Sequence, residues 1–285
     1  MTLKSGRFIY KGYPDMELAF YLEQPRVKKF EFSPVVMNNV GGGWAHYEVL
    51  DAPYYAFAGQ DKLLDEGYAI LTVGHRGGDY GAQMNELLSD LIDALAYIYS
   101  RNDQFGLDLD RIVPMGHSAG GHVSLMVAMA PAELMTECCV NLCEGFHYRA
   151  MGCIACVPPI LLYPDPESGK MLFPVIYTEN RTIKYLFGGA EYTEECYKTY
   201  SPMTYARAEL PPILLIPGEK DNIVDVKQSI LLHEKLTSLG TDCRLVVVKN
   251  GEHSYLPVDG EISPTREEID RLMYDFFVEM LEKNA

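Results

Sequence analysis

A serine within a glycine-rich stretch is the strongest candidate for chemistry in this chain. Residues 116–121 read GHSAGG and contain the pattern G-x-S-x-G. The stretch follows the apolar run 112–115 and leads into the helix-compatible run 121–130. A serine on a sharp strand-to-helix turn exposes its hydroxyl to a substrate. Glycines on either side allow a strained turn and the close passage of backbone. The pattern therefore predicts that Ser118 is a nucleophile.

A nucleophilic serine needs a base within hydrogen-bond reach and an acid that orients the base. Where the pattern G-x-S-x-G forms a strand-to-helix turn of this kind, the three groups follow the chain order serine, acid, histidine. Of the seven histidines, His253 fits this order best, because it lies in a loop directly after the apolar run 245–248. Such a loop leaves the carboxyl end of a strand, where an open α/β sheet places its ligand groups. We therefore predict that His253 is the base.

The acid is expected in the loop after the preceding apolar run, at residues 217–225. Asp221 is our first choice within that loop. Asp225 is the second choice, because its position is also explained as the cap of the following helix. Asp165, which follows an earlier strand-like run, is a third option.

Successive glycines at 41–43 supply the remaining part of such a site. They follow an apolar run and precede Trp44. Glycines let backbone N–H groups point into a cavity with no side chain in the way, and such donors stabilise the oxyanion of a tetrahedral intermediate. A phosphate-binding loop is disfavoured, because no Gly-Lys-Ser or Gly-Lys-Thr follows.

The order of the elements predicts how these residues meet. From about residue 30 onward, short apolar runs alternate with amphipathic helical segments, which predicts a doubly wound α/β sheet. The expected strands lie at 30–37, 68–73, 112–115, 153–162, 213–216 and 243–248. The expected helices lie at 84–99, at 226–239 and near the end, where Ser263 and Pro264 open the last one. Two earlier runs, 7–10 and 18–22, predict an antiparallel hairpin at the sheet edge. The fold class is thus α/β, with a mostly parallel eight-stranded sheet and an N-terminal antiparallel hairpin.

Composition favours one folded domain over residues 1–285, since 48% of the residues are hydrophobic and 22% are charged. The formal net charge of −16 disfavours nucleic acid and anionic lipid as partners. No secretory signal or membrane-length apolar run is visible, which predicts a cytoplasmic protein without membrane insertion. The seven cysteines favour free thiols. Cys153 and Cys156 fall in a strand-like run, so we predict no metal and no other cofactor.

Two segments, 131–151 and 165–200, interrupt the alternation of strands and helices. Insertions of this length usually cover an active site or shape its pocket, so we expect both near the site. Their aromatic side chains either line the substrate pocket or pack in the core, and the sequence leaves both readings open. The candidates for the pocket, together with Trp44, are Phe146, Tyr148, Phe173, Tyr177 and Tyr185.

Together these motifs resemble the esterase/lipase branch of the α/β-hydrolase superfamily, in particular its acetyl-esterase, feruloyl-esterase-like and hormone-sensitive-lipase-like groups. That branch carries His-Gly-Gly-Gly-Trp, Gly-x-Ser-Ala-Gly-Gly, Gly-x-x-Asp-x-x-Val and a late Gly-x-x-His or similar. The matching stretches here are 41–44, 116–121, 218–224 and 251–253. The resemblance implies that Ser118 is the nucleophile, Asp221 the acid and His253 the base, and that the oxyanion donors are the N–H groups of Gly42, Gly43 and Ala119. Val40 stands where the family has a histidine that helps to brace the glycine loop.

The leading hypothesis is a serine hydrolase that cleaves a small-molecule carboxylic ester through an acyl-enzyme. A short acyl group such as acetyl is our first choice, because the chain has no large separate cap domain.

An arylformamidase-like amidase would use the same residues, and such enzymes carry a similar Gly-His-Ser-Ala-Gly run. A peptidase resembling prolyl oligopeptidase is less favoured, because the chain has no room for a propeller domain. A non-catalytic binding protein of the same fold would usually lack the serine, the acid or the histidine. A homodimer is one of the assemblies that the sequence allows.

Overall fold

Eight strands form one sheet in the order β1-β2-β4-β3-β5-β6-β7-β8. The structure is a computed structural model, which describes residues 3–173, 186–187 and 193–283. The strands are β1 (Gly6–Tyr13), β2 (Met16–Glu23), β3 (Ser33–Asn39), β4 (Ala69–Val73), β5 (Leu107–His117), β6 (Cys153–Cys156), β7 (Ile213–Ile216) and β8 (Cys243–Leu245). β1 pairs antiparallel with β2, and β2 pairs antiparallel with β4. All other neighbours are parallel. The predicted mostly parallel sheet with its N-terminal hairpin is confirmed.

Helices cover both faces of the sheet. They are α1 (Met84–Tyr99), α2 (Asn102–Phe105), α3 (Ala119–Met129), α4 (Ala132–Thr136), α5 (Glu194–Thr199), α6 (Lys227–Ser238) and α7 (Arg266–Lys283). Neighbouring residues of one strand point to opposite faces. Val35 and Met37 of β3 therefore pack with α1 and α3, whereas Val36 packs with α7 on the other side. The result is the doubly wound arrangement that the alternation of elements predicts.

Several predicted boundaries were wrong by a few residues. The predicted strand 153–162 ends as β6 at Cys156, because Val157 has a φ of 43° and Pro158 and Pro159 follow. β3 begins at Ser33 rather than at residue 30. β8 ends at Leu245, although backbone hydrogen bonds from Val246 and Val248 continue toward β7.

The last helix does not begin at Ser263 and Pro264. Instead, Thr265 caps it: its hydroxyl accepts a hydrogen bond from the N–H of Glu268, and the Glu268 carboxylate accepts one from the N–H of Thr265. This reciprocal pair satisfies two donors that a helix start leaves free.

The N-terminal hairpin is fastened to α1 by buried charges. Lys11 of β1 contacts the carboxylates of Asp90 at 3.1 Å and Asp93 at 3.2 Å, and both aspartates are fully buried. Arg76 donates two further hydrogen bonds from its side chain to Asp90. The positive charges of Lys11 and Arg76 balance the two buried carboxylates, so these ion pairs attach the edge of the sheet to α1.

Along the described ranges, no helix combines the length and apolarity that crossing a membrane requires.

Candidate active site

Three loops at the carboxyl edge of the parallel strands bring the predicted residues together. Ser118 directly follows β5, Asp221 lies in the loop after β7, and His253 lies in the loop after β8. Because parallel strands all end at the same edge, residues far apart in sequence meet there. This edge is the candidate active site.

A chain of hydrogen bonds joins the three side chains. The Ser118 hydroxyl donates to Nε2 of His253 at 2.8 Å, and Nδ1–H of His253 donates to Oδ2 of Asp221 at 2.8 Å. An ionised carboxylate can only accept a hydrogen bond, so the proton of the neutral imidazole must be on Nδ1. Nε2 is then free to accept the serine proton. The side chains of Asp221 and His253 are only 1% and 11% exposed, so little water weakens these bonds.

The backbone around Ser118 is strained, and glycines make this possible. Ser118 has φ 56° and ψ −123°, at the point where β5 turns into α3. A Cβ at Gly120 would lie 2.1 Å from the carbonyl oxygen of Asn39, and one at Gly116 would lie 2.5 Å from the same atom. Only glycine lets β3 pass this close to the turn. The serine hydroxyl is thereby pushed out at the top of the sheet.

Asp221 is held by its own loop. Its Oδ1 accepts hydrogen bonds from the N–H groups of Ile223 and Val224, each at 2.9 Å, which leaves Oδ2 for His253. Asp225 accepts a hydrogen bond from the N–H of Lys227, the first residue of α6, so its carboxylate is bound at the start of that helix. The Asp165 carboxylate pairs with the Lys227 ammonium at 2.6 Å, and this pairing holds the pKa of Asp165 far below its usual value. Of the three acids considered, the structure places Asp221 against the histidine.

The glycine loop lies beside the nucleophile. A Cβ at Gly41 would lie 2.6 Å from the carbonyl oxygen of His117 and 3.7 Å from Cβ of Ser118. Gly42 and Gly43 have φ values of 110° and 66°, and a Cβ at either would meet no atom within 4 Å among the residues that the structure describes. Within the described residues, no group accepts a hydrogen bond from their N–H groups or from that of Ala119, the first residue of α3. These donors are available to an anionic oxygen.

Trp44 and Phe173 pack in the core near this loop rather than forming an open pocket wall. Trp44 is 2% exposed, and its ring meets those of Phe173 and Phe187 nearly edge-on at 5.9 and 6.2 Å between centroids. Phe173 and Phe187 of the 165–200 segment therefore lie beside the glycine loop. Tyr177 and Tyr185 fall outside the described residues.

Phe146 and Tyr148 do not lie at this edge, so their prediction as pocket residues of this site was wrong. The backbone around them runs beside the amino end of β5, where Arg149 bonds to Leu109 and to Ile112. The Phe146 ring packs on Tyr99, the last residue of α1. Both residues line a separate cavity of about 910 Å³. The chain must return to the amino edge before β6 can run parallel to β5, which is why this stretch of the 131–151 segment lies opposite the serine.

Two further histidines, for which no role was predicted from the sequence, contact the site. The ring of His117 packs against that of His253, and burial lowers the pKa of His117 to about 4. His122 accepts a hydrogen bond from the indole of Trp44. His122 follows Ser118 by one helical turn, and this i, i+4 spacing was the available signal for it.

The described residues contain no group of three or more His, Cys, Asp or Glu side chains able to hold a metal ion. Cys153 and Cys156 are the buried first and last residues of β6, and burial raises the pKa of the Cys156 thiol to about 11. A thiol with such a pKa stays protonated at neutral pH and acts as a core residue.

The sheet order and the strand-turn-helix at Ser118 define an α/β-hydrolase fold. A solved structure with this fold, the thermophilic esterase Est2 of Thermogutta terrifontis, superposes with a TM-score of 0.74 at 21% identity, covering 97% of this chain and 92% of that chain. The BD-FAE family model matches residues 18–236. The chain belongs to the BD-FAE family.

The proteins that are similar to this chain include esterases from bacteria and plants. The probable carboxylic ester hydrolase LipM of Mycobacterium tuberculosis is 24% identical over 199 residues, covering 69% of this chain and 43% of that protein. The probable isoprenylcysteine α-carbonyl methylesterase ICMEL2 of Arabidopsis thaliana is 22% identical over 283 residues, covering 96% of this chain and 61% of that protein. The chain therefore spans about half the length of the relatives it matches.

Proposed function

We propose that this protein is a carboxylic ester hydrolase that works through an acyl-enzyme on Ser118. The observation that carries the proposal is the continuous line of hydrogen bonds from Asp221 through His253 to Ser118, each 2.8 Å long. This is the arrangement in which an acid orients a base and the base activates a hydroxyl. The esterase names among the relatives support the same reaction class.

In the first half-reaction, Ser118 Oγ attacks the carbonyl carbon of the ester while its proton moves to Nε2 of His253. The carbonyl oxygen becomes an oxyanion, and the N–H groups of Gly42, Gly43 and Ala119 are the donors that would receive it. Collapse of the tetrahedral intermediate breaks the bond to the alcohol oxygen. The alcohol leaves with the proton from Nε2, and the acyl group stays on Ser118.

In the second half-reaction, water replaces the alcohol. His253 takes a proton from water as the water oxygen attacks the acyl carbon, and a second oxyanion forms at the same donors. The intermediate then releases the carboxylic acid, and the proton on Nε2 returns to Ser118 Oγ. Asp221 keeps Nδ1 protonated throughout and stabilises the positive charge that His253 carries in each step.

The substrates that we favour are esters with a short acyl group. Buried aromatic rings already fill the space behind the glycine loop, where Trp44 packs against Phe173 and Phe187. Est2 of Thermogutta terrifontis has structures with propionate and with butyrate bound. By analogy, we propose that acetyl to butyryl esters fit this site better than long-chain esters.

Hydrolysis of p-nitrophenyl acetate by the purified protein tests the reaction. We expect Ser118→Ala to lower kcat at least about 1,000-fold, because the attacking oxygen is removed. Ser254→Ala is the matched control, since Ser254 is exposed and directly follows His253. Equal rates for wild type and Ser118→Ala would contradict the proposal. Butyrate and octanoate esters in the same assay measure the acyl preference, and a formanilide separates ester from amide hydrolysis.

A further inference from the structure

The conformation of the loop that carries Gly42 and Gly43 depends on Trp44. Trp44 has a φ of 60°, a left-handed value that is unfavourable for a bulky residue and persists only when its surroundings hold it. Its indole N–H donates a hydrogen bond to Nδ1 of His122 at 3.1 Å. The two rings stand nearly perpendicular, at 88° with centroids 5.2 Å apart. The tryptophan is therefore fixed by a directional bond as well as by packing.

His122 connects this tryptophan to the nucleophile. It is fully buried in α3, and its backbone N–H donates to the carbonyl oxygen of Ser118 at 3.0 Å. Its Nε2–H donates to the carbonyl oxygen of Tyr200 at 2.7 Å. One residue thus joins the glycine loop, the start of α3 and the segment that follows α5.

The partners of His122 allow a single neutral tautomer. An indole N–H can only donate, so Nδ1 must be the acceptor, and the proton must then be on Nε2 for the carbonyl of Tyr200. Burial lowers the pKa of His122 to about 4, so this tautomer persists at neutral pH. Both ring nitrogens are occupied, and neither can take a proton from a substrate or from Ser118.

The two glycines are held less firmly: the carbonyl oxygen of Gly42 accepts one hydrogen bond, from the N–H of Ala45 at 3.3 Å. A Cβ at Gly42 or Gly43 would meet no atom of the described residues within 4 Å, so little side-chain packing from this part of the chain holds the middle of the loop. Its ends are held instead, at Gly41 by close contact with the carbonyl of His117 and at Trp44 by His122. Oxyanion donors act only when they are preorganised at the right place.

We propose that His122 is a positioning residue that, through Trp44, holds the N–H groups of Gly42 and Gly43 at a fixed position relative to Ser118. The inference rests on the proposed function, because it assigns those N–H groups to the oxyanion. It adds a residue that stabilises the transition state without contacting it.

The experiment compares Trp44→Phe, His122→Phe and the double variant, each of which keeps an aromatic ring in place. Two rates are measured: kcat and KM on p-nitrophenyl acetate, and the second-order rate constant for reaction of Ser118 with a fluorophosphonate. The second rate needs no knowledge of the substrate. We expect each single variant to lower kcat and the labelling rate by about 10- to 100-fold, with KM changed by less than about threefold.

The double variant tests whether the two residues act as one unit. Because both single variants break the same bond, we expect the double variant to be about as slow as either one. His147→Phe is the matched control, since His147 is an exposed histidine near the amino edge of the sheet. It should react at the wild-type rate.

Two results would overturn the inference. In the first, both single variants are labelled at the wild-type rate. In the second, fewer active sites can be titrated in the variants, but each remaining site reacts at the wild-type rate. The second result would mean that His122 only stabilises the fold. If His122→Phe does not fold, Trp44→Phe still breaks the bond from the other side. A wild type that is labelled at Ser118 but hydrolyses no ester would contradict the proposed function and leave the labelling test of His122 intact. A wild type that does neither would overturn both.

Discussion

The imidazole of His117 packs against the imidazole of His253, with ring centroids 5.3 Å apart and planes at 70°. Burial is the main cause that lowers the pKa of His117 to about 4, and the nearby imidazole of His253 acts in the same direction. His117 is therefore neutral at neutral pH. A charged neighbour at this distance would oppose the imidazolium that the proposed reaction forms.

The pH dependence of kcat/KM checks this relationship. Above about pH 5 His117 is already neutral and should add no ionisation, so we expect kcat/KM to rise with pH with a slope of about one log unit per pH unit. His117→Phe should keep the midpoint of this rise within about half a pH unit, because it removes no charge in that range. A slope approaching two, or a large shift of the midpoint in the variant, would show that His117 also ionises in that range.

Acid should destabilise the fold before most carboxylates are protonated. His117 and His122 both have a pKa near 4 in the folded protein, against 6.5 in the unfolded chain. Between these values the unfolded state binds more protons, so the free energy of unfolding falls as the pH drops below 6.5. From pH 6.5 to about pH 5, each histidine should remove roughly 1.5 kcal/mol.

Urea unfolding at several pH values measures this loss. Wild type should lose stability over that range, and His122→Phe should lose less of it, since one buried group that resists protonation is gone. The two proteins are compared by the change in unfolding free energy with pH, so a uniformly weaker variant is still informative. A wild-type stability that stays flat from pH 6.5 to pH 5 would contradict the expectation.

The meeting of Ser118, Asp221 and His253 could be predicted because each follows its own apolar strand-like run. Once the sheet is taken as parallel, the residues after those strands must share one edge. The same rule shows why Phe146 and Tyr148 were misplaced. They stand just before the strand that begins at Cys153, and residues before a parallel strand lie at the opposite edge. Applying the topology to these two residues would have corrected the prediction.

The contact between Trp44 and His122 could not be found in this way. The two residues are 78 positions apart, and neither ends a strand at a predictable register. Their bond depends on the left-handed turn at Trp44 and on the rotation of α3 about its axis. Local sequence patterns give little information on either. The strained φ of Ser118, in contrast, was expected because the pattern G-x-S-x-G implies it.

Replacing the acid separates the three aspartates by activity. Asp221→Asn should lower kcat by about 1,000- to 10,000-fold, because an amide can donate to Nδ1 and so favours the wrong tautomer of His253. Asp225→Asn should stay within about threefold of wild type, since Asn also caps helices. Steady-state kinetics on p-nitrophenyl acetate give both numbers, and thermal melts confirm folding. Equal losses in the two variants would reject the assignment of Asp221.

Alanine at Gly120 and at Gly43 should give opposite phenotypes, although both glycines belong to the candidate site. At Gly120 the new Cβ would lie 2.1 Å from the carbonyl oxygen of Asn39. Backbone must move to relieve that contact, so we expect a loss of roughly 3 kcal/mol or more in stability, above the usual range for single substitutions. At Gly43 the Cβ would meet no atom of the described part of the chain within 4 Å, and the φ of 66° costs a non-glycine residue only about 1–2 kcal/mol. Gly43→Ala should therefore fold, yet lose about 10-fold or more in kcat, because a methyl group now projects beside the proposed oxyanion donor.

Thermal unfolding together with kcat on p-nitrophenyl acetate distinguishes the two variants. A stable, fully active Gly43→Ala would remove that residue from the oxyanion site, and a stable Gly120→Ala would show that Asn39 can move away from the turn.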